Sequence, residues 1–237
     1  MLYVDEYHRL LVDGEETGIQ VLKDSRWEIV PSMKWHTEEI PGRHGEIVFG
    51  VDVQPRMIEL ECAMEVSKGE RGDRRHVLAG LLSPLSGDQE LVFADDPGRS
   101  YYGRLSEAVP VEAYVGADKF TLAFKCSDPF AYGPEQVLVG SGLLTNEGNV
   151  ETPLVIDISG PVENPTVKVG TLSITWEGGV ASGDHLIIDS RSMTVTFNGV
   201  NATGAFAGDF PFLKPGHTEV VAASAGTTTW KFRNRWL

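Results

Sequence analysis

The sequence predicts a mainly β protein built in two β-rich parts, with one helix in the first. Three observations carry this expectation. Runs of alternating apolar and polar residues, rich in Val, Ile and Phe, recur along most of the 237 residues, and period 2 is the mark of half-buried strands. Only one segment places its apolar residues at helical spacing. Gly, Asn, Asp and Ser separate the runs at the short intervals that tight turns need.

The elements follow in order. WEIVPSMKW (Trp27 to Trp35) alternates, with Pro31 marking an edge or a bend. GRHGEIVFG (Gly42 to Gly50) reads as a loop feeding a strand, and EIVFGVDV (Glu46 to Val53) and RMIELECAMEV (Arg56 to Val66) are strand-like runs separated by Gln54 and Pro55. DRRHVLAGLLSPL (Asp73 to Leu85) breaks the pattern. Val77, Leu78, Leu81, Leu82 and Leu85 recur at helical spacing, Asp73 is placed to cap the start, and Pro84 and Gly87 to end it. A leucine stripe of this length is expected to pack on the sheet. ELVFADD, SYYGRLSE and DKFTLAFKC add three strands, and SDPFAYGPEQ (Ser127 to Gln136) reads as a chain reversal.

The sequence places a domain boundary near residue 134, giving an N-terminal domain over 1–133 and a C-terminal domain over 134–237. The polar stretch SGLLTNEGNVETP (Ser141 to Pro153) is expected to link them, with some strand pairing across it. PLVIDISG, PTVKVG, LSITWEG, DHLIIDS, MTVTFNG, HTEVVAAS and TTTWKFRNRWL then give about seven short strands, the pattern of a β-sandwich or jelly-roll-like domain. Asn198-Gly199 is the strongest hairpin dipeptide among the turns.

Composition narrows the function. The net charge is −14, and no Lys/Arg stripe tracks a nucleic-acid backbone. The one local basic run, Arg71 to Arg75, is expected to solvate the start of the helix. Two cysteines make neither a disulfide framework nor a metal set. Cys62 shares a face with Ile58, Leu60, Met64 and Val66, and Cys126 with Phe120, Leu122 and Phe124, so both are expected as buried thiols. No signal-peptide core and no apolar stretch long enough to cross a bilayer is present, which predicts synthesis in a cytosol and no membrane partner.

No catalytic, cofactor or metal site emerges. His8, His36, His44, His76, His185 and His217 form no ligand motif, and neither a nucleophile elbow nor a phosphate loop occurs. His36 reads as a surface histidine. Asp95 and Asp96 are adjacent carboxylates before Pro97-Gly98, which suits a turn better than a hydrolytic pair. Trp27, Trp35, Trp176, Trp230 and Trp236 could stack on sugars, but aromatic residues in sandwiches are mostly core.

The ordered set of segments resembles the distal tail protein family of long, non-contractile-tailed phages. The resemblance rests on IPGRHGEIVFG (Ile40 to Gly50), LVFADDPGRSYYGRL (Leu91 to Leu105), FTLAFKCSDPFAY (Phe120 to Tyr132), NEGNVETPLVIDISGPVENPTV (Asn146 to Val167), GDHLIIDSRSMTVTFNGVN (Gly183 to Asn201), FPFLKPG (Phe210 to Gly216) and the final RWL. It implies an N-terminal β domain with one helix, a C-terminal galectin-like β-sandwich, and no enzymatic activity or cofactor. It also implies a hexameric ring, single or stacked, at the virion tail tip, made in the host bacterial cytoplasm. The implied partners are the chain itself, the tail tube protein, the tape measure protein, a tail-associated hub or lysin protein, and receptor-binding proteins.

A ring needs heterologous contacts that close after a fixed rotation. The segment Trp35 to Gly50, broken by Pro41, Gly42 and Gly45, is expected to include an arm reaching a neighbour, with Glu39, Ile40, Pro41, Gly42, Arg43, His44 and Gly45 as its candidate interface residues. The alternative reading is a host-wall carbohydrate-binding protein acting through the galectin-like domain, with an exposed Trp176 as the discriminating feature.

Overall fold

The computed structural model describes residues 9–22, 25–67, 69–223 and 226–237, and the side chains of Arg26 and Trp27 are outside that description. His8 and Ser224, at the end of the predicted HTEVVAAS strand, also lie outside it. The chain is mainly β with one α-helix, and it divides into two compact units, 1–131 with Leu237 and 132–236.

The first unit contains β1 (Arg9–Val12), β2 (Glu15–Val21), β3 (Arg26–Trp27), β4 (Met33–Glu39), β5 (Glu46–Val53), β6 (Arg56–Glu65), α1 (Arg71–Leu81), β7 (Gln89–Phe93), β8 (Ser100–Leu105), β9 (Val111–Tyr114) and β10 (Ala117–Cys126). Six strands pair in the order β8-β7-β1-β2-β6-β10. β10 then meets β8 through Phe124↔Leu105 and Lys125↔Arg104, which closes the sheet into a barrel. Closure removes the exposed edges that a sheet of this size would otherwise present.

Period-2 alternation fills the barrel. Ile58, Leu60, Cys62 and Met64 of β6 point inward with Phe120, Leu122, Phe124 and Cys126 of β10, and all eight are buried. Leu10, Val12, Ile19, Leu91 and Phe93 complete that core. Both cysteines are free and buried as expected. Their strands pair, but Cys62 faces Phe120 and Cys126 faces Arg56. Six positions therefore separate them along the strand, about 20 Å at strand rise, far beyond disulfide reach.

The helix starts at Arg71 after Glu70, two residues before Asp73, which sits instead in the first turn. It ends at Leu81, where Pro84 opens a short 3-10 turn. Leu78 and Leu81 pack half-buried on the barrel core beside buried Leu82. Val77 and Leu85, the outer members of the predicted stripe, are exposed.

Three further departures have physical reasons. WEIVPSMKW is not one strand, because residues 28–32 around Pro31 leave the ladder between β3 and β4. The alternation in EIVFGVDV predicts a half-buried strand, yet β5 has no buried residue. Among the described residues β4 and β5 pair only with each other, and no layer of those residues covers them. Finally, Ala131–Val139 overlaps the predicted reversal and Gly142–Thr145 lies in the predicted linker, and both are strands.

The second unit is a two-sheet sandwich. One sheet runs Val200–Asn201, Thr194–Phe197, His185–Asp189, Val155–Ser159, Thr227–Trp236 and Ala131–Val139. The other runs Gly142–Thr145, Thr218–Ala223, Thr166–Val169, Leu172–Trp176 and Phe206–Ala207. Ile156, Ile158, Leu186, Ile188, Val221 and Trp230 form the centre of its core. Asn198 and Gly199 both have positive φ, 48° and 79°, the pattern of a type I′ hairpin turn.

Candidate functional site

The segment singled out as an arm is a two-stranded hairpin of β4 and β5. Its tip is held by turn chemistry. The Arg43 N–H donates to the Ile40 carbonyl at 3.0 Å. Pro41 occupies the second position and Gly42, at φ +84°, the third, as a type II turn requires. Gly45, at φ +83°, returns the chain into β5. Glu39 to Gly45 are thus brought together as one solvent-exposed loop with Glu46.

Register determines what the hairpin displays. Trp35 pairs with Val51 and His36 with Gly50, but Thr37 pairs with Val48, so Phe49 is an extra, bulged residue. The bulge keeps Val48 on the same face as Val51 and Val53, opposite Thr37, Trp35 and Met33. That face carries Trp35, Val48 and Val51 at 58%, 51% and 45% exposure. A cluster of large apolar residues this open marks an interaction surface more often than an ordinary one. On the other face His36 Nε2 lies 2.6 Å from Asp52 Oδ2, tying the two strands together.

A second feature lies beneath α1. Asp118, second residue of β10, points into the end of the barrel and is fully buried. Arg75 Nε donates to its Oδ2 at 2.7 Å, and Arg71 Nε lies 3.1 Å from Oδ1, close enough to pair but poorly aligned for a hydrogen bond. The hydrogen bond to Asp118 raises the Arg75 pKa further. Beside this pair a cavity of about 440 Å³ is lined chiefly by Leu78, Leu82, Leu105, Val109, Val111 and Phe120.

The remaining candidates resolve into structural roles. Asp96 holds the Arg99 guanidinium through both carboxylate oxygens, at 2.9 and 3.0 Å, inside a turn. His185 Nδ1 sits 2.9 Å from Asp157. Trp230 is fully buried. Trp176 is 8% exposed, stacks on Phe197 at 5.4 Å and donates from Nε1 to the Ala202 carbonyl at 3.3 Å. It therefore offers no sugar-stacking platform, which removes the feature on which the carbohydrate reading depended. Among the described residues no group of three His, Cys, Asp or Glu side chains could hold a metal, and no helix is long and apolar enough to cross a membrane.

The motifs of the second unit prove to be turn and packing devices. In NEGNV, buried Asn146 donates from Nδ2 to the Val150 and Leu213 carbonyls at 2.8 and 2.9 Å and accepts from the Gly148 N–H at 2.9 Å. Its own carbonyl accepts from the Gly216 N–H. In FPFLKPG, Pro215 and Gly216, at φ +70°, form the turn closed by His217 N–H to the Lys214 carbonyl. In GDHLIIDS, Asp184 accepts from Asn198 Nδ2, and Asn198 accepts from the His185 N–H, both at 2.9 Å.

Comparison with known proteins places these features in a family. Residues 12–126 match the phage tail protein RIFT-related domain, and residues 147–236 match the siphovirus-type tail component, C-terminal domain. The distal tail protein of Bacillus phage SPP1 is 27% identical over 247 residues, covering 95% of this chain and 94% of that protein. The crystal structure of the SPP1 distal tail protein, described as a paradigm of the hub adsorption apparatus in phages infecting Gram-positive hosts, superposes with a TM-score of 0.79 at 22% identity, covering 97% of this chain and 99% of that one. A chain of the phage P2 baseplate in its activated conformation with Ca shares the fold at a TM-score of 0.53 and 9% identity, covering 92% and 90%. With both tail domains present in order along its length, the chain belongs to the distal tail protein family of siphophages.

Proposed function

We propose that the protein is a non-catalytic hub of the virion tail tip, in which six copies form a ring through the first unit. The ring joins the tail tube protein and the end of the tape measure protein to a tail-associated hub or lysin protein. The second unit, a galectin-like sandwich, lies at the ring's periphery, where receptor-binding proteins can attach. Subunits are made in the bacterial cytoplasm and enter the virion by assembly.

The observation that carries this reading is the β4–β5 hairpin. Its tip, Glu39 to Gly45, and its apolar face are exposed in the isolated chain, and a ring-forming subunit needs such a surface for its neighbour. The relatives are structural tail proteins, and the residues most suggestive of chemistry here are occupied in turns and ion pairs.

Light scattering across a concentration series, with negative-stain images, tests the proposal. A species of six subunits with a central opening is the expected result, and twelve would mean two stacked rings. A strict monomer at every concentration counts against it.

A further inference from the structure

The helix α1 is weakly embedded in the first unit. None of its eleven residues is buried, and only Arg71, Arg75, Leu78 and Leu81 are partly covered. Open space flanks it on both sides. The cavity of about 440 Å³ meets it at Arg75, Leu78, Ala79 and Leu82. A second cavity, of about 500 Å³, runs between Arg74, Val77 and Leu81 of the helix and the segment Glu15 to Gly18. Met64 of β6 lines both. Side chains that face such space forfeit the packing contacts that a filled interior would give them.

The sequence of the helix does little to compensate. Gly72 and Gly80 stand inside it, where glycine is a poor helix former. Glu70 occupies the cap position, but its carboxylate accepts from Ser67 Oγ at 2.8 Å and does not cap the first turn. A helix of this length is marginal in water without tertiary support.

The two ends are fastened differently. Toward the start, Arg75 donates to Asp118 Oδ2 at 2.7 Å, Arg71 Nε lies 3.1 Å from Oδ1, and Arg71 Nη2 donates to the Tyr114 carbonyl. These are polar contacts from partly exposed arginines, which water can solvate once they let go. Toward the end, Leu82 is buried and Gln89 of β7 donates from Nε2 to the Leu81 carbonyl. That end is fixed to the barrel by an apolar anchor.

We propose that α1 is a displaceable lid on the end of the barrel, latched to Asp118 by Arg71 and Arg75 and hinged at Leu82. It swings away as a unit while the barrel stays folded, and it uncovers Met64, Phe120 and Leu122, which line the cavity. Segments with few buried apolar contacts are the ones that open ahead of global unfolding. The inference is independent of the ring reading.

Hydrogen exchange followed by mass spectrometry tests the lid. In the wild type the amides of α1 are expected to exchange about ten-fold or more faster than those of β6 and β10. Asp118→Asn removes the charge of the latch and is expected to speed α1 by about ten-fold again, with β6 and β10 unchanged. Gly72→Ala with Gly80→Ala strengthens the helix without touching the latch, at exposed positions where an added Cβ meets nothing within 4 Å. That pair is expected to slow exchange several-fold in α1 alone. Equal exchange of α1 and the barrel strands in the wild type overturns the proposal. So does an α1 that Asp118→Asn leaves unchanged, or barrel strands that it speeds as much as the helix. Should Asp118→Asn fail to fold, the glycine pair decides, because slowing β6 and β10 as much as α1 would mean that the helix opens only with the barrel.

Discussion

Arg75 donates from Nε to the buried Oδ2 of Asp118 at 2.7 Å, joining the helix to the inward face of β10. Asp118 takes an alternation position that Phe120, Leu122 and Phe124 fill with apolar groups further along the strand. A buried carboxylate there is tolerable only with counter-charges at hand.

The two arginines are partly exposed and can reach water if Asp118 is removed, but Asp118 cannot follow them. Arg71→Gln with Arg75→Gln is therefore expected to lower the melting temperature more than Asp118→Asn does. Adding Asp118→Asn to that pair should restore part of the loss. Thermal unfolding followed by circular dichroism reads this order. A triple variant no better than the double would mean the arginine stems, not their charges, hold the helix.

The thiols of Cys62 and Cys126 are both pushed up from 9.0 to about 12, chiefly by burial. They are expected to resist a thiol reagent at pH 8 in the native protein and to react fully in guanidinium. The sign for stability follows from proton binding. Below pH 9 folded and unfolded chains both keep these protons. Between pH 9 and about 12 the unfolded chain releases them while the folded chain holds them, so stability falls as pH rises. The urea midpoint should fall over that window, and less steeply in the Cys62→Ala, Cys126→Ala variant.

Trp176 is a core residue of the second unit. Trp176→Ala is expected to cost about 3–5 kcal/mol, the range for truncating a buried tryptophan, read as a lower denaturant midpoint. Trp176→Phe should recover much of it. Glycan binding by the wild type that disappears in Trp176→Phe at unchanged stability would contradict this assignment.

Asn146 satisfies three backbone groups of two chain segments at once. Asn146→Ala strands those groups in the interior and is expected to cost about 3 kcal/mol. Gly148→Ala should be at least as damaging, because its Cβ would lie 2.1 Å from the Arg235 carbonyl oxygen. Wild-type stability in either variant would show that the 146–150 turn can shift away from the last strand.

Replacing Glu39 to Gly45 with a two-residue Asn-Gly turn shortens the arm without touching the barrel core. The melting temperature is expected to stay unchanged while the large species seen by light scattering disappears. A ring of normal size in this variant would refute the role of the arm tip.

Much of the fold was legible where one face of an element is buried. β6 and β10 alternate for ten residues each, and both the strands and the inward faces of Cys62 and Cys126 follow from that pattern. The β1–β2 hairpin is not legible in the alternation because Gly14, Glu15, Glu16 and Gly18 interrupt it. Its available signal was Asp13-Gly14, where both residues have positive φ, 50° and 77°. Ala131–Val139 and Gly142–Thr145 were obscured for another reason. Much of their length faces solvent, so their composition resembles a linker.

The sequence by itself determined the β character of the chain, the place of its one helix, the turn chemistry at Asn198-Gly199 and Pro41-Gly42, and the family to which its ordered motifs belong. These are local or patterned properties, written in residue spacing and in the backbone preferences of Gly, Pro and Asn. Only the tertiary structure decided that β8 returns to β10 to close a barrel, that Asp118 lies between two arginines, and that Trp176 is buried while Trp35 is not. Alternation states that a strand has an apolar face. Whether anything covers that face depends on residues far along the chain, and over Trp35, Val48 and Val51 the described residues supply no cover.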